Sequence, residues 1–213
     1  MNYDLPESIP QGFDGTQEAE NRRIEEITHQ LQRLRGVYEA ECGTGKSHVT
    51  TQEAESRSTE LLAKEQGIWF PFERVFELGL PGPSGHENET FVTDSYIYKV
   101  NNLMNSGSII GLLKKILYHN FIFPETAYSL HGFTGFEGRS VYPVIRQERI
   151  WNARPATQVM IDTYMSALGF SRTDRIGRFT NSKYEVWDLL PRNVLVDAEG
   201  DLFVVDAEIS KLE

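Results

Sequence analysis

The chain begins without hydrophobic order: residues 1 to 16 are polar, with two prolines and two glycines, and read as a loose leader. From Thr16 the apolar positions recur at three and four. Ile24, Ile27, Leu31 and Leu34 make one stripe, which predicts a packing helix with Gly36 as its stop. A second helix is predicted over residues 51–66, closed by Gly67. Both open on TQEAE, at 16–20 and 51–55, where the threonine suits a cap and the acids suit the positive helix end.

After Trp69 the period changes to two. The runs FERVFEL (72–78), ETFVTD (89–94), SYIYKV (95–100), AYSLHGF (127–133) and SVYPVIRQERI (140–150) read as antiparallel strands, punctuated by glycine and proline. One helix interrupts them over residues 107–120. The connector WNARP leads to another over 156–168, ended by Gly169. FTNSKYEVWDL follows, then a hairpin of NVLVD and DLFVVDAE around Ala198-Glu199-Gly200. Strands in series with few helices make the class α+β rather than a run of βαβ units.

Composition narrows the function. The 213 residues carry 31 acids against 21 Lys and Arg, a formal charge of −10, with no compact basic cluster. Nucleic acid and anionic membranes, which need a concentrated positive face, are therefore excluded as main partners. The single cysteine, Cys42, rules out an internal disulfide and an all-cysteine metal site. The five histidines (His29, His48, His86, His119, His131) show no metal-ligand spacing. No apolar run is long enough to span a bilayer and the N-terminus has no signal-peptide pattern, so a cytoplasmic location is expected.

Two stretches suggest phosphate chemistry. Ala40, Gly45, Lys46 and Ser47 satisfy the phosphate-loop pattern, which needs a strand before the glycines and a helix after them. The β-branched HVTT that follows does not open a helix. No parallel strand series lies downstream. The stretch therefore reads as a hairpin of VYEAEC and SHVTT across GTGK.

The second stretch is EVWDLLPRNVLVDAEGDLFVVDAE. Asp188, then Asn193 five residues on, and Asp206 at the end of an apolar strand can converge around one hairpin. Such oxygen ligands suit Mg²⁺, and a remaining acid can accept a proton from a hydroxyl.

In these residues the chain resembles the protein-kinase-like superfamily over roughly residues 70–210. The resemblance implies an antiparallel N-lobe sheet with one helix, a hinge and a minimal C-lobe. The domains are then a helical extension (1–67) and a kinase-like domain (68–213), divided into an N-lobe (68–150) and a truncated C-lobe (151–213). It makes Asp188 the catalytic aspartate that orients or deprotonates the acceptor, Asn193 and Asp206 the metal ligands, and Lys99 of SYIYKV the grip on the nucleotide phosphates. It makes Gly79, Gly82 and Gly85 the phosphate-covering turn, with Gln147 and Glu148 bordering the adenine. More narrowly, the SG-x-EN turn, YKVN, FPET, GF and DLLPRNVL resemble the kinase domains of bacterial mobile-element polyvalent proteins.

The implied cofactors are ATP and Mg²⁺, and the implied acceptor is a hydroxyl of a protein or small molecule. Some positions depart from the pattern. Val186 and Trp187 stand where a histidine and an arginine are usual, and Ala207-Glu208 follow Asp206. The helix after Lys99 carries no acid, which leaves Glu125 and Glu87 as substitutes for the lysine's usual partner. Only seven residues follow Asp206, too few for a substrate platform. These departures support an alternative: a catalytically impaired pseudokinase, or a nucleotide-binding interaction module of the mobile-element or toxin–antitoxin type.

Overall fold

The computed structural model describes residues 15–42 and 51–212. Two helices lead, α1 (Gly15–Cys42) and α2 (Thr51–Glu65), with Glu18 and Glu53 in their first turns. Gly36 does not stop α1. Its backbone φ is not positive, and a helix end of the expected kind needs the left-handed conformation. The good helix formers Glu39, Ala40 and Glu41 follow it, so the helix runs through VYEAEC. That segment is thus not the strand of a hairpin, nor a strand feeding a phosphate loop. GTGK and SHVT lie outside the described residues. Gly67 does close the next helix, at φ 69°.

A five-stranded antiparallel sheet follows, β1 (Leu80–Pro81), β2 (Asn88–Val92), β3 (Tyr96–Asn101), β4 (Tyr128–Phe136) and β5 (Ser140–Glu148), in the order β1-β2-β3-β5-β4. The expected first strand, FERVFEL, is instead a 3₁₀ helix over Phe72–Glu77. Phe72, Val75 and Leu78 recur every three residues, which is the 3₁₀ period, and all three pack in one cluster. Helix α3 (Ile109–Ile122) crosses from β3 towards β4.

The alternation of the strands feeds two cores. On one face Ile24, Ile27 and Leu31 of α1, Leu62 of α2 and Leu113 and Ile116 of α3 pack with Leu130, Phe133 and Ile145. Leu34, the last residue of the predicted stripe, stays largely exposed. Val75, Phe91, Val100 and Val144 form the core of the other face. Each such buried side chain contributes about 1.5–3 kcal/mol of transfer free energy.

The chain forms two compact units, residues 1–117 with 128–149, and residues 118–127 with 150–213. The second holds β6 (Arg154–Pro155), α4 (Gln158–Ala167), β7 (Ser171–Arg172), β8 (Phe179–Thr180), β9 (Tyr184–Trp187), β10 (Val194–Val196), β11 (Leu202–Val204) and β12 (Glu208–Lys211). Thr157 caps α4 by accepting from the Met160 amide, and Gly169 ends the helix at φ 82°. The strands make two antiparallel sheets, β11-β10-β6 and β12-β9-β8-β7, around a core that includes Phe123, Ile161, Val186, Leu189 and Val204. Antiparallel sheets with helices and a helical N-terminal region make the fold α+β. Among the described residues no helix is long and apolar enough to cross a membrane.

Candidate active site

In the second unit the chain leaves β9 at Trp187 and turns sharply. Asp188 has φ 61°, the left-handed region that aspartate tolerates better than most side chains. Buried Leu189 anchors the turn, its amide donating to the Gly177 carbonyl at 3.0 Å. Gly177 is itself left-handed, and a Cβ there would lie 2.9 Å from the Leu189 oxygen, so no other residue fits comfortably. Pro191 opens a 3₁₀ turn over Pro191–Asn193, and β10 follows at once.

That turn brings three of the predicted residues together. Asn193 Nδ2 donates to both the Asp188 carbonyl and its Oδ2, each at 2.8 Å. The other carboxylate oxygen, Oδ1, accepts from the Arg192 guanidinium. The Asn193 carbonyl in turn accepts from the amides of Val205 (2.9 Å) and Asp206 (3.4 Å). β12 then pairs with β9 so that Glu208 opposes Trp187, which sets Asp206 beside the end of β9 where Asp188 stands.

The connecting hairpin is closed by Asp197, whose Oδ1 accepts from the amides of Glu199, Gly200 and Asp201. Among the described residues no hydrogen bond or ion pair engages the half-buried Asp206 carboxylate. Val186, where a histidine is usual, is fully buried core, and Trp187 lies under the Arg178 guanidinium, which also grips Glu185.

In the first unit, Lys99 is not the solvated face residue that a strand lysine usually is. It is 8% exposed, on the sheet face it shares with Ile145 and Tyr128, and its ammonium donates to the Tyr128 hydroxyl at 2.8 Å. The two candidate acids have contacts of their own. Buried Glu87 accepts from Asn105 and Ser106 and pairs with Lys115, while Glu125 accepts from Tyr164.

The predicted glycine turn is a tight hairpin between β1 and β2. The Gly82 amide donates to the Thr90 carbonyl and the Gly85 amide to that of Asn88, so both are spent within the hairpin. Gly79 is required by packing, since a Cβ would meet the Val92 carbonyl at 2.6 Å. Gln147 is buried at the end of β5, Glu148 beside it is exposed, and Arg149 holds the Thr93 and Ser95 carbonyls.

A clustered Asp–Asn–Asp loop and a buried strand lysine are the parts the resemblance led one to expect. The family model for the serine/threonine/tyrosine kinase found in polyvalent proteins matches residues 52–212. The chain belongs to that family. No curated protein and no solved structure matches it. The match begins inside α2, so this kinase domain includes a helix whose Leu62 and Ala63 share the core of the five-stranded sheet. Tyr128 and Arg192, which contact Lys99 and Asp188, are the residues the sequence did not single out. A tyrosine at the head of a strand and an arginine in a loop carry no spacing signal of their own.

Proposed function

We propose that the domain is a phosphotransferase that moves the γ-phosphoryl group of ATP to a hydroxyl with Mg²⁺. In this reading the first unit is the nucleotide-holding lobe and the second a minimal catalytic lobe. The observation that carries it is the hydrogen-bonded set at the end of β9, in which Asn193 braces the Asp188 carboxylate and receives the backbone of Asp206.

The residues fit the metal. With its Nδ2 given to Asp188, Asn193 offers its amide oxygen, and Asp206 offers a carboxylate with no protein partner among the described residues. Mg²⁺ favours few protein oxygens completed by phosphates and water, and among the described residues there is no larger acidic or histidine cluster to compete. When bound, the ion neutralises charge on the transferring phosphoryl group.

The chain's own residues do the rest. Lys99 holds phosphate oxygens as a point charge. Asp188, fixed by two donors, keeps lone pairs to orient the acceptor hydroxyl and take its proton. The amides of Ser84 and His86 in the glycine turn, which take no part in the hairpin's backbone hydrogen bonds, would cover the phosphates. Gln147 and Glu148 border the base.

A protein-free acceptor screen with γ-labelled ATP tests the reaction. Wild type transfers label, and Asp188→Asn reduces the rate roughly 10²–10⁴-fold without loss of nucleotide binding. Equal rates in both would remove Asp188 from the chemistry.

A second reading has its own support. Both Asp188 oxygens are already engaged, and the Gly82 and Gly85 amides are committed to the hairpin. Those features suit a pseudokinase that holds nucleotide and uses the fold to bind a partner protein. Nucleotide binding with no label transfer to any acceptor is the result that favours it.

A further inference from the structure

A buried ammonium needs acceptors, because it brings three donors and no acceptor of its own, and an uncompensated buried charge is costly. Lys99 finds one in the Tyr128 hydroxyl, at 2.8 Å, with the ammonium 4.8 Å from the ring centroid. Both side chains are buried, at 8% and 5% exposure. Both belong to the same sheet: β3 and β4 flank β5, Tyr128 and Ile97 each oppose Gln147, and Lys99 stands two residues along from Ile97 on the same face.

We infer that Tyr128 is a positioning residue for Lys99, holding the ammonium for phosphate from within the sheet itself. This rests on the proposed role of Lys99 in nucleotide binding. The choice of partner has two consequences. A carboxylate partner would offset the lysine's charge, whereas the Tyr128 phenol adds no negative charge of its own. The geometry is also set by the backbone ladder of three adjacent strands rather than by an acid on α3. This contact is therefore built into the sheet. Of the two acids that could stand in for the usual partner, Glu87 pairs with Lys115 and Glu125 accepts from Tyr164.

The test is a double-mutant cycle on the full chain, with Mg·ATP affinity read by calorimetry for wild type, Tyr128→Phe, Lys99→Met and the double variant. Phenylalanine keeps the ring in its core, so the melting temperature of Tyr128→Phe stays near that of wild type. Its affinity falls roughly tenfold, the scale of a hydrogen bond to a charged group. In the Lys99→Met background the tyrosine change has no further effect, because it acts only through the lysine. The same loss in both backgrounds overturns the inference.

A nucleotide-free arm separates this pairing from the ATP reading. Heteronuclear NMR of the Lys99 ammonium shows faster proton exchange with water in Tyr128→Phe. Unchanged exchange overturns the pairing. If wild type takes up no Mg·ATP, the phosphate role falls, and the ammonium signal alone decides whether Tyr128 holds the lysine.

Discussion

Gly79 and Gly85 bracket the turn before β2, and a methyl group would meet different surroundings at each. At Gly79 it would lie 2.6 Å from the Val92 carbonyl oxygen, a backbone atom held in the sheet, whereas at Gly85 nothing lies within 4 Å. Gly79→Ala is therefore expected to cost about 1–3 kcal/mol of stability by forced displacement of the strand. Gly85→Ala is expected to leave stability unchanged within about 0.5 kcal/mol. Urea titration of the two variants checks both, and a neutral Gly79→Ala would contradict the packing account.

The pair also separates what sequence could and could not say about these glycines. Their spacing pointed to a turn, and a turn is there. That Gly79 is fixed by a carbonyl across the hairpin, and that the Gly82 and Gly85 amides are used inside it, are facts of register that no spacing encodes. The Asp188–Asn193 contact was legible in part. The letters said that Asp188 and Asn193 can converge; that Asn193 Nδ2 donates to the Asp188 carboxylate is set by the 3₁₀ turn between them.

Ser108 caps helix α3 by accepting from the Gly111 amide at 2.9 Å, and the first two amides of the helix are met by Glu55 from α2. The carboxylate accepts from the amides of Ile109 and Ile110, while Arg35 of α1 stands 3.9 Å away. One side chain thus ties three helices, and Glu55→Ala, which orphans buried amides, is expected to destabilise by about 1–3 kcal/mol. Burial pushes the Glu55 carboxyl above its ordinary value, against the lowering pull of the two amides and of Arg35. The folded state therefore holds this proton to higher pH than the unfolded chain does. Stability falls as pH rises above about 4.5 until the folded carboxyl has also ionised. Glu55→Gln removes that slope, and melting curves across the acidic range measure it.

The helices themselves were readable from period. Ile24, Ile27 and Leu31 pack as their spacing predicts, and α4 and its closing glycine lie where expected. Two elements were not. Phe72, Val75 and Leu78 alternate ambiguously over so short a run, and only burial of Val75 between Phe91 and Val144 selects the 3₁₀ turn over a strand. Gly36 fails as a stop because a glycine ends a helix only when it turns left-handed, which depends on what the next residues do.

At the scale of the molecule, the chain is two compact units, the first with a core on each face of its sheet and the second with one, and it belongs to a kinase family through most of its length. The class and the family were legible because they rest on order along the chain: glycine turn, strand lysine, aspartate, asparagine, aspartate. The partners of those residues were not, because Tyr128 for Lys99 and Arg192 for Asp188 are chosen by three-dimensional packing. A phosphate-loop pattern at Ala40 to Ser47 competes for the same ligand, yet α1 continues through Cys42 and supplies no strand ahead of it. The central claim is that nucleotide binding depends on Lys99 and Asp206 and not on Lys46. Calorimetric titration of Mg·ATP into the full chain and its Lys99→Met, Asp206→Ala and Lys46→Ala variants tests this most directly. The account predicts Mg²⁺-dependent binding by wild type and Lys46→Ala, weakened at least roughly tenfold in the other two. Binding lost in Lys46→Ala and kept in Lys99→Met and Asp206→Ala would contradict it.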